Sequence, residues 1–415
     1  MTVRHLLACA LLPLGLALPG TVSAQARPIT LDQALAESRD RSPEIRSAEA
    51  EVRVARADLK AARVSPYNPE AGFSIGPSSN DDTTLTSYQV GVSQTIELGG
   101  KRGLRTRSAA RRVEAAEARL LRAKAVSAAA VRRDFFLAVI ARSRLSASIE
   151  ADSVTVLLRD AAQERLRLGA GTQLEVNVAA AASAQARRAR LAAEREWRTS
   201  LLRLGATIGL PVADTVIPDG TMPRAELPGQ SEDDLVRTAL ARRADLTALR
   251  AEREAAESDV RLARSLTWPD PTLGVSAGKA EDFRVVEFGL SLPLPLWNRG
   301  QGARAQAGAL LQRAQLTELT ATREAEREIR DGYRGLATAI EAERAFDREV
   351  VERLGENLAL AEQSFRAGKI GLLVFNNIRR DLVEGRLGYL DAIAEVIERQ
   401  AALEQAVGGA FEISE

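Results

Sequence analysis

Few side chains in this sequence can carry covalent or metal chemistry. The one histidine, His5, and the one cysteine, Cys9, both fall within the first nine residues. If those residues are removed, no imidazole or thiol is left as nucleophile, base or soft ligand, and Met222 supplies the one thioether. Gly99-Gly100-Lys101 invites comparison with a phosphate loop. That loop needs a glycine where Thr95 stands and a Ser or Thr where Arg102 stands. The residues suit a glycine bend between a strand and a helix instead. Carboxylates are plentiful, but they sit at helical surface spacings and outline no concave site. The expectation is a protein that is not an enzyme and has no cofactor.

The elements around these residues explain the composition. Of 415 residues, 27% are charged and 4% aromatic, and Ala, Leu, Arg and Glu dominate, which favours long helices. A net charge of +1 gives no electrostatic case for nucleic acid. Residues 1–24 read as a signal peptide: Arg4 in the n-region, Leu6 to Leu18 as the apolar stretch, and Val22-Ser23-Ala24 before a cleavage point. Leu6-Leu7-Ala8-Cys9 looks like a lipoprotein box but lacks most of an apolar stretch before it, so cleavage at Ala24 is expected. No later run approaches the length of a membrane-spanning helix.

The chain is written twice, at a spacing of about 200 residues. Pro69-Glu-Ala-Gly-Phe-Ser-Ile-Gly76 returns as Pro271-Thr-Leu-Gly-Val-Ser-Ala-Gly278, and Gly91-Val92-Ser93 returns as Gly289-Leu290-Ser291. Residues 162–169 return as 361–368. The expected order is a first repeat over 25–210, a proline-rich linker over 211–230, a second repeat over 231–410 and a tail over 411–415. Each repeat opens with a helix, about 43–64 and 243–266, ended by prolines. Period-two alternation then predicts β-hairpins over 71–93 and 273–292, with polar tips at 77–84 and 279–282. A long helix comes next, about 101–168 and 301–367, ending at Gly169 or Gly368, and a return helix runs over 173–206 and 371–406.

In the hairpins one face is apolar and the other mostly Gly and Ser. That pattern fits a hairpin on a soluble core or a membrane barrel with lipid outside and water inside; strand length and export favour the barrel. The smallest single-chain barrels need about eight strands, so four must be completed by other copies; two or three would serve. Arg and Glu throughout the long helices keep them out of lipid, and they project as a tube or coiled coil of ~100 Å. The fold class expected is mainly α with a small transmembrane β part: a long α-helical tube plus a β-barrel, four strands per chain.

The repeated order of helix, hairpin, long helix, glycine turn and return helix resembles the TolC-like outer-membrane factors over essentially the whole mature chain. Gln94-Thr95-Ile96-Glu97-Leu98-Gly99-Gly100-Lys101-Arg102 and Leu292-Pro-Leu-Pro-Leu-Trp-Asn-Arg-Gly-Gln-Gly302 are similar to the CzcC-like cation-efflux branch. The resemblance implies a homotrimer in outer-membrane lipid, projecting into the periplasm and docked to a periplasmic adaptor protein and an inner-membrane RND-type transporter. It further implies a passive exit duct for heavy-metal cations; the same channel serving multidrug efflux or type I secretion, and a soluble periplasmic coiled-coil scaffold, are the alternatives. By the same resemblance the turns with Gly169, Gly171, Thr172, Gly368, Lys369 and Gly371 form the adaptor contact and periplasmic gate. Ringed carboxylates can narrow a pore. At the matching positions stand Glu175, Val178, Val374 and Asn377, so Glu175 alone keeps a carboxylate. The competing role for Glu175 is an ordinary solvated helix charge. Arg167, Arg366 and Lys369 flank the turns, where they suit the helix dipole or an adaptor.

Overall fold

The computed structural model describes residues 27–80, 83–212, 214–223, 226–280, 283–346 and 353–409. The expected signal peptide, with Arg4, His5 and Cys9, and the tail 411–415 lie outside the described residues.

The first half runs β1 (Arg27–Ile29), α1 (Leu31–Arg41), α2 (Pro43–Ala62), β2 (Glu70–Asn80), β3 (Thr83–Thr95), α3 (Lys101–Arg167) and α4 (Gln173–Ile208). The second runs β4 (Val216–Pro218), α5 (Glu232–Arg242), α6 (Ala244–Ser265), β5 (Thr272–Ala280), β6 (Phe283–Ser291), α7 (Gln301–Arg344), α8 (Leu354–Arg366) and α9 (Leu372–Val407). Strands β2, β3, β5 and β6 form one antiparallel sheet in that order. The hairpins reach further than alternation alone suggests. The first polar tip is mostly strand, because β2 runs to Asn80 and β3 starts at Thr83, and in the second tip β5 runs on to Ala280.

Helix α3 has 67 residues and extends on the order of 100 Å. Its buried side is largely Ala and Ser, which lets α2, α4, α6 and α9 approach closely. Against α6 the buried apolar contact is four alanines, Ala115, Ala118, Ala248 and Ala251.

One expectation is corrected. The second long helix is not continuous from 301 to 367: α7 stops at Arg344, although neither Gly nor Pro is there. Phe346 instead turns onto Tyr389 (ring centroids 6.0 Å) over Gly388, which has no side chain to block it. Tertiary packing outweighs local helix preference at this point. The linker 211–230 also carries a short strand. Its β4 pairs in parallel with β1, Arg27 opposite Val216 and Ile29 opposite Pro218. Ile29 and Val216 are fully buried with Val131, Phe135, Leu204 and Ile208.

Where the second half closes, cations hold the end of α9. The Arg243 guanidinium donates to the Ala406 carbonyl (2.8 Å) and pairs with Asp245 (2.6 Å) and Glu328 (3.0 Å). Arg122 donates to the Gln405 carbonyl, and Arg132 bonds Glu404 at 2.9 Å. Positive charge on the last carbonyls of a helix also complements its dipole. A left-handed glycine shares this role in both halves, Gly408 (φ +89°) in the second and Gly209 in the first. Gly209 has φ +88°, its N–H bonds the Ala206 carbonyl (3.0 Å), and the Leu210 N–H bonds the Gly205 carbonyl (2.9 Å).

A Cβ on Gly209 would lie 2.5 Å from the Arg41 carbonyl oxygen, whereas one on Gly169 or Gly368 meets open space. Gly169→Ala and Gly368→Ala therefore cost about 1 kcal/mol each, from left-handed backbone alone. Gly209→Ala costs about twice that or more, because a backbone clash adds to the strain. Thermal unfolding midpoints of the three variants check the order.

Candidate functional site

Three places along the molecule can serve a function: the sheet, the collar joining it to the helices, and the far turns. On the sheet, alternate residues put Phe73, Ile75, Val90, Val92, Val275, Val286, Phe288 and Leu290 on one face, all exposed; Phe288 is 85% accessible. The other face is mostly Gly and Ser with Gln89 and Glu287, and towards the tip Val285 stands on it opposite Gly278. The Gln89 amide donates to Ser276 Oγ (2.7 Å) and Glu287 (2.6 Å). Glycine is required where the hairpins meet, since a Cβ on Gly91 would come 2.9 Å from that of Ser276. The sheet is thus apolar outside and small and polar inside. Its two edges, β2 and β6, are each paired on one side only.

The collar is a buried polar knot between the repeats. Lys101 Nζ lies 2.7 Å from Asp270 Oδ1 and 2.7 Å from the Trp268 carbonyl. The Leu98 N–H donates to the same carboxylate (2.8 Å), and the Tyr67 hydroxyl to its other oxygen (3.2 Å). Burial opposes ionisation of Asp270, but the Lys101 and Leu98 hydrogen bonds outweigh it and hold the carboxyl below its usual range. Arg105 clamps the neighbouring turn, gripping Glu97 (2.7 and 3.2 Å) and the carbonyls of Ala62 and Val64. The left-handed Gly99 and Gly100 (φ +70° and +69°) aim Lys101 into the knot.

At the other end the two helical hairpins pack side by side. Leu158, Ala162, Ala179, Ala361, Leu372 and Phe375 form one core, with Phe365 stacked on Phe375 at 5.3 Å. Both turns are built alike. The Gly169 N–H bonds the Leu166 carbonyl and the Ala170 N–H that of Arg165; Gly368 and Lys369 do the same to Phe365 and Ser364. This is the Schellman arrangement, with glycine supplying the left-handed residue. The two turns differ in how the return helix begins. Thr172 and Glu175 form a capping box: Glu175 accepts from the Thr172 N–H (3.0 Å) and Thr172 Oγ1 from the Glu175 N–H (3.2 Å). At Gly371 no side chain caps α9. Val178 is half-buried, Val374 and Asn377 exposed. Arg379, next to this core, is buried with Asn376 as its one hydrogen-bond partner among the described residues (3.2 Å), and burial lowers its pKa. Arg167 and Arg366 pair within their own helices, with Glu164 and Glu362.

The profile of the outer membrane efflux protein family matches residues 34–210 and 235–409. The chain belongs to that family. Among curated relatives, the cobalt-zinc-cadmium resistance protein CzcC of Cupriavidus metallidurans is 24% identical over 385 residues, 92% of this chain and 91% of CzcC. The pyoverdine export outer membrane protein OpmQ of Pseudomonas putida is 26% identical over 353 residues, 81% of this chain and 73% of OpmQ. The fold is that of the Campylobacter jejuni CmeC outer membrane channel, with TM-score 0.75 and 16% identity over 93% of this chain and 87% of CmeC.

This efflux protein is therefore an outer-membrane channel component reaching into the periplasm, a passive duct and not an enzyme. The sheet is its membrane part. No helix among the described residues is long and apolar enough to cross a membrane. Residue spacing brings out Gly169, Gly171, Thr172, Gly368, Lys369 and Gly371, and the structure gathers both turns at one end of the helices. Spacing misses the collar. It compares Lys101 only with a phosphate loop, yet a signal is present: Asp270 stands between Pro269 and Pro271, outside any helical or strand period.

Asp270→Ala leaves the Lys101 ammonium buried without a counter-charge and lowers stability by on the order of 3 kcal/mol. Adding Lys101→Met recovers part of the loss, since two apolar groups need no pairing. Because the folded pKa of Asp270 is lowered, its contribution is full above the unfolded value of about 3.9 and is lost as pH falls through the folded one. Unfolding followed by circular dichroism from neutral pH downward tests this; Asp270→Asn should flatten the acid limb.

Proposed function

We propose that three copies of this efflux channel close a twelve-stranded barrel and serve as the exit duct of a tripartite pump for heavy-metal cations. The observation that carries the closed barrel is the four-stranded sheet itself: apolar on one face, small and polar on the other, open at both edges. In hydrocarbon each unpaired backbone group costs several kcal/mol, so the edges need strands from neighbouring copies. The cation cargo rests on the alignment with CzcC along nearly the whole of both chains, together with the motifs at 94–102 and 292–302. The similarity to OpmQ supports a second reading, in which the cargo is pyoverdine or a compound like it.

The helical turns at 168–172 and 367–371 are the proposed periplasmic end, meeting an adaptor protein that in turn couples to an inner-membrane RND-type transporter. Energy comes from that transporter. Glu175, with Val178, Val374 and Asn377, forms the proposed constriction. Its carboxylate also caps α4, so replacement by alanine would mix two effects. Gln retains the capping box while removing the charge.

Glu175→Gln is expected to leave the turn folded and to reduce cation preference in single-channel recordings. Unchanged selectivity would reduce Glu175 to a helix cap. For cargo, a deletion strain is expected to become sensitive to a subset of zinc, cobalt, cadmium, nickel, copper and silver, with antibiotic tolerance unchanged. Loss of pyoverdine release without metal sensitivity would select the second reading.

A further inference from the structure

The structure holds one seam between hairpins, β3 against β5, and the repeat makes it a template for the seam between copies. Hairpin β2–β3 and hairpin β5–β6 are equivalent position by position. Gly72 faces Gly91 in the first as Gly274 faces Gly289 in the second. Across the seam the rule changes. Gly91 faces Ser276, Ser93 faces Gly274 and Gln89 faces Gly278, so each glycine of the inner face is opposed by a larger residue. The fit is close, for a Cβ on Gly91 or Gly278 would strike the opposite strand.

Resting on the reading that copies of this chain close the barrel, we infer that β6 pairs with β2 of the next copy in one defined register. Gly289 stands opposite Ser74, Ser291 opposite Gly72 and Glu287 opposite Gly76. Carrying the equivalences Gly91 to Gly289 and Ser276 to Ser74 across the template gives this register directly. It restores glycine opposite a larger residue at all three places. On the outer face it sets Leu290 against Phe73 and Phe288 against Ile75, four side chains that are more than three-fifths exposed in the single chain. Apolar cross-strand pairs of this kind stabilise a sheet. A slip of one residue would put the apolar face against the polar one. A slip of two would set Gly289 against Gly72 or Gly76, leaving an unfilled gap, and Ser291 against Ser74 or Glu70. Pro293, which has no N–H to give, ends the ladder just past Leu292.

The two seams are not chemically identical. Lys101 and Asp270, which lock the seam within the chain, correspond to Gln301 and Asn68 at the seam between copies, so the buried ion pair is made once per chain. Gln301 is already engaged by the Arg299 N–H (2.8 Å) and the Trp297 carbonyl (3.1 Å). The seam between copies is therefore held by its strand ladder and apolar pairs.

Cysteine cross-linking in intact outer membranes tests the register, with the parent chain as the control for Cys9. Ser74→Cys with Gly289→Cys and Phe73→Cys with Leu290→Cys sample adjacent rungs. One of the two must be a non-hydrogen-bonded pair, where Cα atoms come to about 4.5 Å. Oxidation should join neighbouring copies through at least one of them, about tenfold more than through Gly72→Cys with Gly289→Cys, whose slip leaves the sulfurs too far apart. Each single variant should run as the native oligomer without cross-links. Cross-links through the slipped pair, or through none of the pairs in an oligomer that otherwise forms, would overturn the register while leaving the closed barrel standing. Native mass separates the other case: cross-links at Ser74 and Gly289 in an assembly that is not a trimer would keep the register and sink the copy number.

Discussion

Backbone hydrogen bonding in lipid governs the rest of this structure. Strands β2 and β6 each offer a row of N–H and C=O groups with no partner among the described residues, and hydrocarbon contains no water to satisfy them. A sheet of four strands is therefore a part, usable only when other strands complete it. The alternation of exposed Phe, Val, Ile and Leu with Gly and Ser comes from the same demand: one face must suit acyl chains while the other curves tightly around water. The glycines are spaced where two hairpins meet, and steric room at Gly91 and Gly278 sets how closely they can approach.

The helices meet a different constraint. They carry charge on most of their surface and bury a narrow face that is mainly alanine. Such a face gains little per residue from apolar burial, so stability accumulates along a length on the order of 100 Å and through close helix-helix contact. It also explains why local polar devices recur at the ends, where cumulative packing stops. The collar uses Lys101 and Asp270, the far turns use Schellman glycines and a capping box, and the close of the second half uses Arg243. At each of these places backbone groups that the helices leave unpaired are given a partner.

The collar joins the two regimes. Asp270 precedes β5 and Lys101 opens α3, so one ion pair ties a strand of the second repeat to a helix of the first. A channel that passes cargo from tube to barrel needs those parts held in register at the point where the wall changes from helix to strand. A buried charge pair is costly to form but strongly orientation-dependent, which suits that task better than an apolar contact free to slide.

Repetition, hairpin positions and the first long helix were legible in the sequence because each is a periodic signal, and periodicity reports which face of an element is buried. The turns at Gly169 and Gly368 were legible because a left-handed residue all but demands glycine. The break after Arg344, the strand at Val216–Pro218 and the Lys101–Asp270 knot were not. They depend on Phe346 meeting Tyr389, on Ile29 meeting Val216 in a shared core, and on two charges far apart in the chain meeting at 2.7 Å. Glu175 shows the same division: its place just past a glycine turn was plain from spacing, but its engagement with the Thr172 N–H was settled by backbone geometry. The sequence by itself determined which elements form and which face of each must be covered. Only the tertiary structure decided which partners cover them, because a single contact between distant residues leaves no period along the chain.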